Sequence, residues 1–304
     1  MIRLGTRGSA LALAQARSVA LQLQDDVELV TITTSGDRAS AQGPHPAPPE
    51  GGDKTRFVKE IEEALLAAKI DLAVHSAKDV PGELPEGLVI AGVPLRADPH
   101  DALCGAGSLD ALAEGAIVGT ASVRRRSQLL ALRPDLQILE LRGNVDTRLR
   151  RLAEGAFHAI VLAQAGLDRL GRGDEGGPLP QLVPAPGQGC LALEARSQDA
   201  AAGAAARLTD PAAFAELSAE RALVTALGAS CHTPIGAHAV SSAGAITLSA
   251  FVGLPDGSHW IRDELSGDSA DPAALGQMVG ERLLAAGANE LLAEAESVAV
   301  QGSA

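Results

Sequence analysis

The feature that most restricts the fold of this chain is an alternation of two periodicities along its first two thirds. Ile2–Gly5 is followed by Ser9–Leu23, whose apolar residues recur at helical spacing, and Val27–Thr33 alternates like a strand before helical Phe57–Ala68. Asp71–His75, Leu88–Val93, Ile117–Gly119, Leu136–Leu141, Ala159–Ala163 and Leu191–Ala195 are short strand-like runs, with helical Ser122–Leu132 and Val145–Ala153 among them. A βαβα order predicts an α/β fold of mostly parallel sheets covered by helices on both faces. In such sheets ligands lie beyond the carboxyl ends of the strands, where a loop leads into the next helix. Pro94–Asp101 and the Gly/Pro-rich stretch Gly171–Gly189 interrupt the rhythm and read as boundaries. From about residue 211 the pattern changes to a long helix, three strands (Ala237–Val240, Ala245–Val252, Ser258–Glu264) and helices from Asp271 onward, which predicts a small α+β domain. Residues 41–53 hold four Pro and three Gly and read as an exposed loop.

Composition narrows the class of function. At 304 residues and 46% hydrophobic content the chain is long enough for two or three packed domains, and too apolar to be disordered. No apolar run approaches the roughly 18–20 residues of a membrane span, and Met1–Gly5 opens without a leader pattern. Cys104, Cys190 and Cys231 are an odd number with no close pair, which argues against a disulfide framework and for a reducing, cytoplasmic setting. Cys104 and Cys190 read as small buried apolar residues. A formal net charge of −13 and 2% aromatic residues disfavour a nucleic-acid binder.

Against that acidic background, positive charge is concentrated. Between Arg124 and Arg151 there are eight arginines (124, 125, 126, 133, 142, 148, 150, 151) and three acids (Asp135, Glu140, Asp146). A solvated basic face is the plain reading, but position argues further. Ser122 is a candidate N-cap, which puts Arg124–Arg126 in the first turn of a helix, where cations oppose the helix dipole. Arg142-Gly-Asn-Val-Asp-Thr-Arg148 brackets a second strand-to-helix junction, and Thr6-Arg7-Gly8-Ser9 is a third. Free backbone N–H groups beside a guanidinium form an anion site, and three such junctions facing one cleft predict a ligand with several negative charges. Neither a GxxxxGK[ST] nor a GxGxxG motif follows a strand, so several carboxylates fit better than nucleotide phosphates.

Two further segments carry chemistry. Asp71-Leu-Ala-Val-His-Ser-Ala-Lys78-Asp79-Val-Pro81 sets a Lys-Asp pair just past a strand end, and Leu227-Gly-Ala-Ser-Cys231-His-Thr-Pro-Ile-Gly236 sets a cysteine in a small-residue loop after a helix. Together with TRGSALALAQ (6–15), TSGD (34–37), FVKEIEEALL (57–66), VGTASVRRRSQL (118–129), LRGNVDTRL (141–149), AIVLAQAGLDRLG (159–171), PAPGQGCLALE (184–194) and AER (219–221), these segments resemble the porphobilinogen deaminases, or hydroxymethylbilane synthases, over nearly the whole chain.

The resemblance implies a transferase that joins four porphobilinogen molecules head to tail, expelling ammonia, into linear hydroxymethylbilane for tetrapyrrole (heme) biosynthesis. It implies two periplasmic-binding-protein-like lobes (1–93 with 189–207, and 98–184) and a smaller C-terminal domain (211–304). It implies a covalent dipyrromethane cofactor, a thioether on Cys231, and catalysis by Asp79. Carboxylates of cofactor and substrate fall to Arg7, Ser9, Lys78, Thr120, Ser122, Arg124, Arg125, Arg142, Arg148 and Arg169, with Phe57 beside the substrate ring and Lys54 in an active-site loop. It further implies a cytoplasmic monomer whose partners are porphobilinogen and the growing chain, with no metal. The sequence departs from the family's GGKGLF loop at Gly51-Gly-Asp-Lys54-Thr-Arg-Phe57, and Ala121 stands in the family's Thr-Ser-Ser run. The residues agree with this chemistry. Each ring of the growing chain adds an acetate and a propionate, and a carboxylate such as Asp79 stabilises the positive charge that forms as ammonia leaves. A non-catalytic binder of polycarboxylates explains the arginines but leaves Cys231 and Lys78-Asp79 without a role.

Overall fold

The computed structural model describes residues 1–37, 55–228 and 233–301. They form two compact units, residues 1–97 with 189–214 and residues 98–188 with 215–304. The chain opens the first unit with β1 (Ile2–Arg7), α1 (Ala10–Leu23), β2 (Val27–Ile32), α2 (Thr55–Leu66), β3 (Leu72–Ser76), a 3-10 turn (Ala77–Asp79) and β4 (Leu88–Gly92). It then builds β5 (Asp101–Cys104), β6 (Ile117–Gly119), α3 (Val123–Leu132), β7 (Gln137–Leu139), α4 (Val145–Ala153), β8 (Ala159–Ala163), α5 (Gln164–Arg169) and β9 (Gly176–Leu179) in the second unit. It returns to the first for β10 (Leu191–Arg196) and α6 (Ala200–Ala206), and ends through α7 (Pro211–Ala226), β11 (Ile235–Ser242), β12 (Ala245–Gly253), β13 (Trp260–Asp268), α8 (Pro272–Ala285) and α9 (Ala288–Gln301).

The two five-stranded sheets share one plan. Their orders are β2-β1-β3-β10-β4 and β7-β6-β8-β5-β9. In the first sheet β1 pairs parallel with β2 and β3, while β10 runs antiparallel between β3 and β4. In the second, β6 pairs parallel with β7 and β8, while β5 runs antiparallel between β8 and β9. The reversed strand in each sheet is the first one laid down after the chain crosses from the other unit. The fold class is therefore the expected one: two α/β lobes with mostly co-directional strands and a smaller α+β region of three antiparallel strands, β11-β12-β13.

Packing follows the periodicities. On one face of the first sheet, Leu4, Leu72, Val74 and Leu193 meet Ala16, Val19 and Leu23 of α1 and Ala201, Ala204 and Ala205 of α6. A fully buried leucine or valine there contributes about 1.5–3 kcal/mol. The small residues let helix and sheet approach closely; a Cβ on Gly92 of β4 would sit 2.2 Å from the Ala205 carbonyl oxygen of α6. In the C-terminal region Ile235, Ala237, Ala239, Ile246, Leu248, Ala250 and Val252 face Ala219, Leu223, Leu275, Val279 and Leu283, so one side of the sheet is core. Cys104 and Cys190 are buried and outside any disulfide, and burial pushes the Cys104 thiol up to about 11. Among the described residues no helix is long and apolar enough to cross a membrane.

The divisions between the two compact units fall inside both interrupted stretches, after Ala97 and after Gln188, but strands β5 and β9 do not stand out in the sequence. The Pro94–Asp101 interruption ends where β5 begins, and β9 lies inside Gly171–Gly189. Their sequences, DALC and GGPL, carry an acid, two glycines and a proline, all poor strand formers. Pairing against β8 and its neighbours overrides that local preference.

Candidate active site

In the first unit, the functional side chains gather where β1 and β3 end. Ser9 caps α1, its Oγ accepting from the Ala12 N–H at 3.3 Å, so Arg7 emerges in the turn between strand and helix. Arg7 donates to Asp37 Oδ1 from Nε at 3.1 Å and from Nη2 at 2.5 Å, and its guanidinium carbon stands 4.1 Å from the centroid of the Phe57 ring. Asp37 also accepts from the Thr34 hydroxyl at 2.8 Å. Burial pushes Asp37 up, but the Arg7 and Thr34 hydrogen bonds outweigh it and hold the carboxyl below its ordinary value. Gly36 makes room for the ring, since a Cβ there would lie 2.2 Å from Phe57 Cε1.

At the end of β3 the chain enters the 3-10 turn that carries Lys78 and Asp79, both half-buried. Three successive residues are tied to neighbouring elements. The His75 imidazole lies 3.0 Å from Glu194 of β10, Ser76 Oγ accepts from Gln15 of α1 at 2.9 Å, and the Ala77 N–H donates to the Cys190 carbonyl at 3.1 Å. The Lys-Asp pair thus sits on a braced strand end.

In the second unit, the arginine-rich segment resolves into groups with different tasks. Ser122 caps α3 by accepting from the Arg125 N–H at 3.4 Å, and the Ser122 N–H donates to Thr120 Oγ1 at 3.1 Å. The sequence reading has Arg124 and Arg125 available to ligand carboxylates; in the structure both are buried around Asp101. Arg124 donates to Asp101 Oδ2 at 2.8 Å and to the Val183 carbonyl at 2.8 Å, while Arg125 donates to Asp101 Oδ1 at 2.7 Å and to the Val161 carbonyl at 2.8 Å. Gln188 adds a donor to Asp101 Oδ1 at 2.9 Å. Burial alone would push Asp101 up; the two guanidinium charges reverse that and hold it well below the usual carboxylate range. Arg126 caps carbonyls of Pro255 and Ile138, Arg133 pairs with Asp135, and Arg150 and Arg151 pair with Glu154 on an exposed face.

Arg148 differs from all of these. Gly143, at φ +111°, turns its carbonyl toward α4, where it accepts from Arg148 Nε at 2.7 Å. Among the described residues no carboxylate pairs with Arg148. Burial, and then the charges of Arg125 and Arg142, lower its guanidinium to about 10. Three positive charges act on one another here with one carboxylate, Asp101, buried behind Arg125 and another, Glu140, on exposed Arg142 at 2.6 Å. A cation destabilised by burial and then by like charge gains from a neighbouring anion. Arg169, half-buried, ends α5. Because Arg124–Arg126 oppose the dipole of α3, its cap matters: Ser122→Ala should cost about 1 kcal/mol, read as a lower denaturation midpoint with an unchanged slope.

Comparison with known proteins matches residues 2–204 to the domain described as "Porphobilinogen deaminase, dipyromethane cofactor binding domain" and residues 214–285 to "Porphobilinogen deaminase, C-terminal domain". The chain belongs to the porphobilinogen deaminase family. The Deinococcus radiodurans porphobilinogen deaminase is 47% identical over 303 residues, covering 96% of this chain and 97% of that protein. The Thermus thermophilus porphobilinogen deaminase is 46% identical over 306 residues, covering 97% and 99%. As a porphobilinogen deaminase, that is, a hydroxymethylbilane synthase, the chain is a transferase of tetrapyrrole biosynthesis with a dipyrromethane cofactor.

Of the residues expected to serve this enzyme, Cys231 and Lys54 lie outside the described residues, as does the loop 41–53. The structure brings Arg7 and Phe57 together, and sets Thr120 and Ser122 in one turn ahead of Arg124 and Arg125. Asp37, Asp101 and Gln188 do not emerge as partners from sequence reasoning. TSGD was a visible motif, but nothing in it indicates that its aspartate meets Arg7; Asp101 stands among the residues of a boundary, and Gln188 pairs with it across 87 positions.

Proposed function

We propose that this porphobilinogen deaminase divides its reaction among three groups of its own residues. Arg142, Arg148, Arg169, Thr120 and Ser122 bind acetate and propionate arms of the cofactor and growing chain, while Arg124 and Arg125, locked by Asp101, fix the shape and charge of that surface. Arg7, Ser9 and Lys78 take carboxylates at the reacting ring, which lies beside Phe57, with Lys54 in the neighbouring loop. Asp79 faces the pyrrole nitrogen, stabilises the cationic methylene-pyrrolenine left when ammonia departs, and carries away the proton lost when the new ring regains aromaticity. The bound dipyrromethane supplies the free pyrrole carbon to which the first substrate unit is joined. Cys231 in the C-terminal domain holds that group as a thioether, a bond suited to sulfur's strength as a nucleophile toward carbon electrophiles. Porphobilinogen and the oligopyrrole are its partners, and it works as a cytoplasmic monomer.

The observation that carries this reading is Arg148: a half-buried guanidinium lowered to about 10 by burial and two neighbouring arginines, with no protein carboxylate to balance it among the described residues. An acid arm of an oligopyrrole is the missing counter-charge, and a guanidinium can capture it through two charge-assisted hydrogen bonds. Intact mass spectrometry tests the anchor. Protein from cells that make porphobilinogen should exceed its sequence mass by two linked pyrrole units, and Cys231→Ser should remove the excess. A wild-type mass equal to the bare chain would overturn the covalent anchor.

A further inference from the structure

The first lobe buries a group of ionisable side chains that the reaction as described does not use. His75 on β3 and Glu194 on β10 lie diagonally across an antiparallel pair, with His75 opposite Ala192 and Glu194 opposite Ala73, so both point to the face covered by α2. Their atoms His75 Nε2 and Glu194 Oε2 are 3.0 Å apart, and the two side chains are 4% and 0% exposed. Glu62 of α2 is buried nearby; burial first, then the charge of Glu194, pushes its carboxyl up, and His75 opposes that. Among the described residues, one oxygen of Glu62 and one of Glu194 are buried with no hydrogen-bond partner.

Such a cluster is a poor way to stabilise a core. A buried polar pair seldom outperforms apolar residues of equal volume, and unsatisfied carboxylate oxygens cost more still. Its position offers the reason. His75, Ser76 and Ala77 carry the tethers to Glu194, Gln15 and the Cys190 carbonyl in that order, and Lys78 and Asp79 follow without a break. The tethers come from α1, from β10 and from Cys190 just ahead of β10, on two sides of β3. A strand end held by three tethers from two sides has little freedom to rotate, which is what a carboxylate needs when its task is to meet charge developing at one atom.

We propose that His75, clamped by Glu194, and Gln15, through Ser76, are positioning residues that hold the 76–79 turn so that Asp79 is presented to the substrate. This rests on the catalytic reading of Asp79. The test is steady-state kinetics on the cofactor-loaded enzyme for His75→Leu, His75→Gln and Gln15→Leu, with Asp79→Asn alongside. His75→Leu should lower kcat by about 10- to 100-fold, the range a misplacement of about 1 Å produces, with KM changed less than about threefold. His75→Gln keeps a nitrogen donor near the Nε2 position and should recover most of that loss. If His75→Leu does not fold, Gln15→Leu cuts the second tether without entering the charged cluster and should show the same split between kcat and KM. Full kcat in a folded His75→Leu or Gln15→Leu, with only a lowered melting temperature, overturns the proposal while Asp79→Asn remains inactive. Near-normal turnover in Asp79→Asn overturns the reading of Asp79 and this proposal with it.

Discussion

Asp79→Asn should reduce turnover by more than about 100-fold and leave the melting temperature where it is. The substitution replaces one oxygen by an NH₂ of the same shape, so a half-buried side chain at the end of a 3-10 turn keeps its volume and its surroundings. What it loses is the negative charge and the ability to accept a proton. Each condensation creates a cationic pyrrolenine and then releases a proton, so both losses fall on the chemical step. Removal of a placed general base costs about 10²–10⁴-fold, and removal of a preorganised charge acts in the same direction. On the proposed reading substrate capture, by contrast, depends on arginines and Lys78, which the substitution leaves in place. Single-turnover measurement of ammonia release, set beside a melting curve, separates the two effects. A rate within a few-fold of wild type would remove Asp79 from the mechanism.

Asp101→Asn should destabilise the second lobe by about 3–5 kcal/mol, the usual cost of removing one partner from a buried charge cluster. Asp101 is fully buried and accepts from Arg124 Nη1 and Nη2, Arg125 Nε and Nη2, and Gln188 Nε2 at 2.7–3.2 Å. The neutral amide leaves two buried guanidiniums facing an NH₂ donor. Because the Asp101 carboxyl is held below its ordinary value of 3.8, its stabilising effect is complete above that value in the folded protein. The effect is lost as pH falls below about 3.8 toward the lowered folded-state value, since the unfolded chain takes up the proton first. The wild-type protein should therefore lose stability on acidification through that window, and Asp101→Asn should lose less. Denaturant titration followed by the single tryptophan, Trp260, provides the readout within the same unit. An unchanged midpoint at neutral pH would show that the arginines have other partners of equal strength.

The same aspartate explains why the arginine-rich segment is only half legible. The surplus of positive charge between Arg124 and Arg151, and the Ser122 cap that puts three arginines in one helical turn, are local facts and were visible in the letters. Which guanidiniums remain open is not local. Asp101 lies 23 positions before Arg124, and the carbonyls of Val161 and Val183 that receive Arg125 and Arg124 lie 36 and 59 positions away. The charge count treats eight arginines alike; folding ties Arg124, Arg125, Arg126 and Arg133 to acids and carbonyls of the protein and leaves Arg148 without an acid among the described residues.

The amino-acid order by itself determined the alternating strands and helices, the cap at Ser122, the turn that carries Lys78-Asp79 past a strand end, and, through motif resemblance, the family. Each of these depends on neighbours within a few positions, where side-chain spacing and backbone preference decide the outcome. Only the tertiary structure decided that DALC and GGPL are strands, that Asp101 locks two arginines, and that His75 meets Glu194 across 119 positions. Those outcomes come from long-range pairing in a dry interior, where an unpaired polar group is costly enough to override what the local sequence favours.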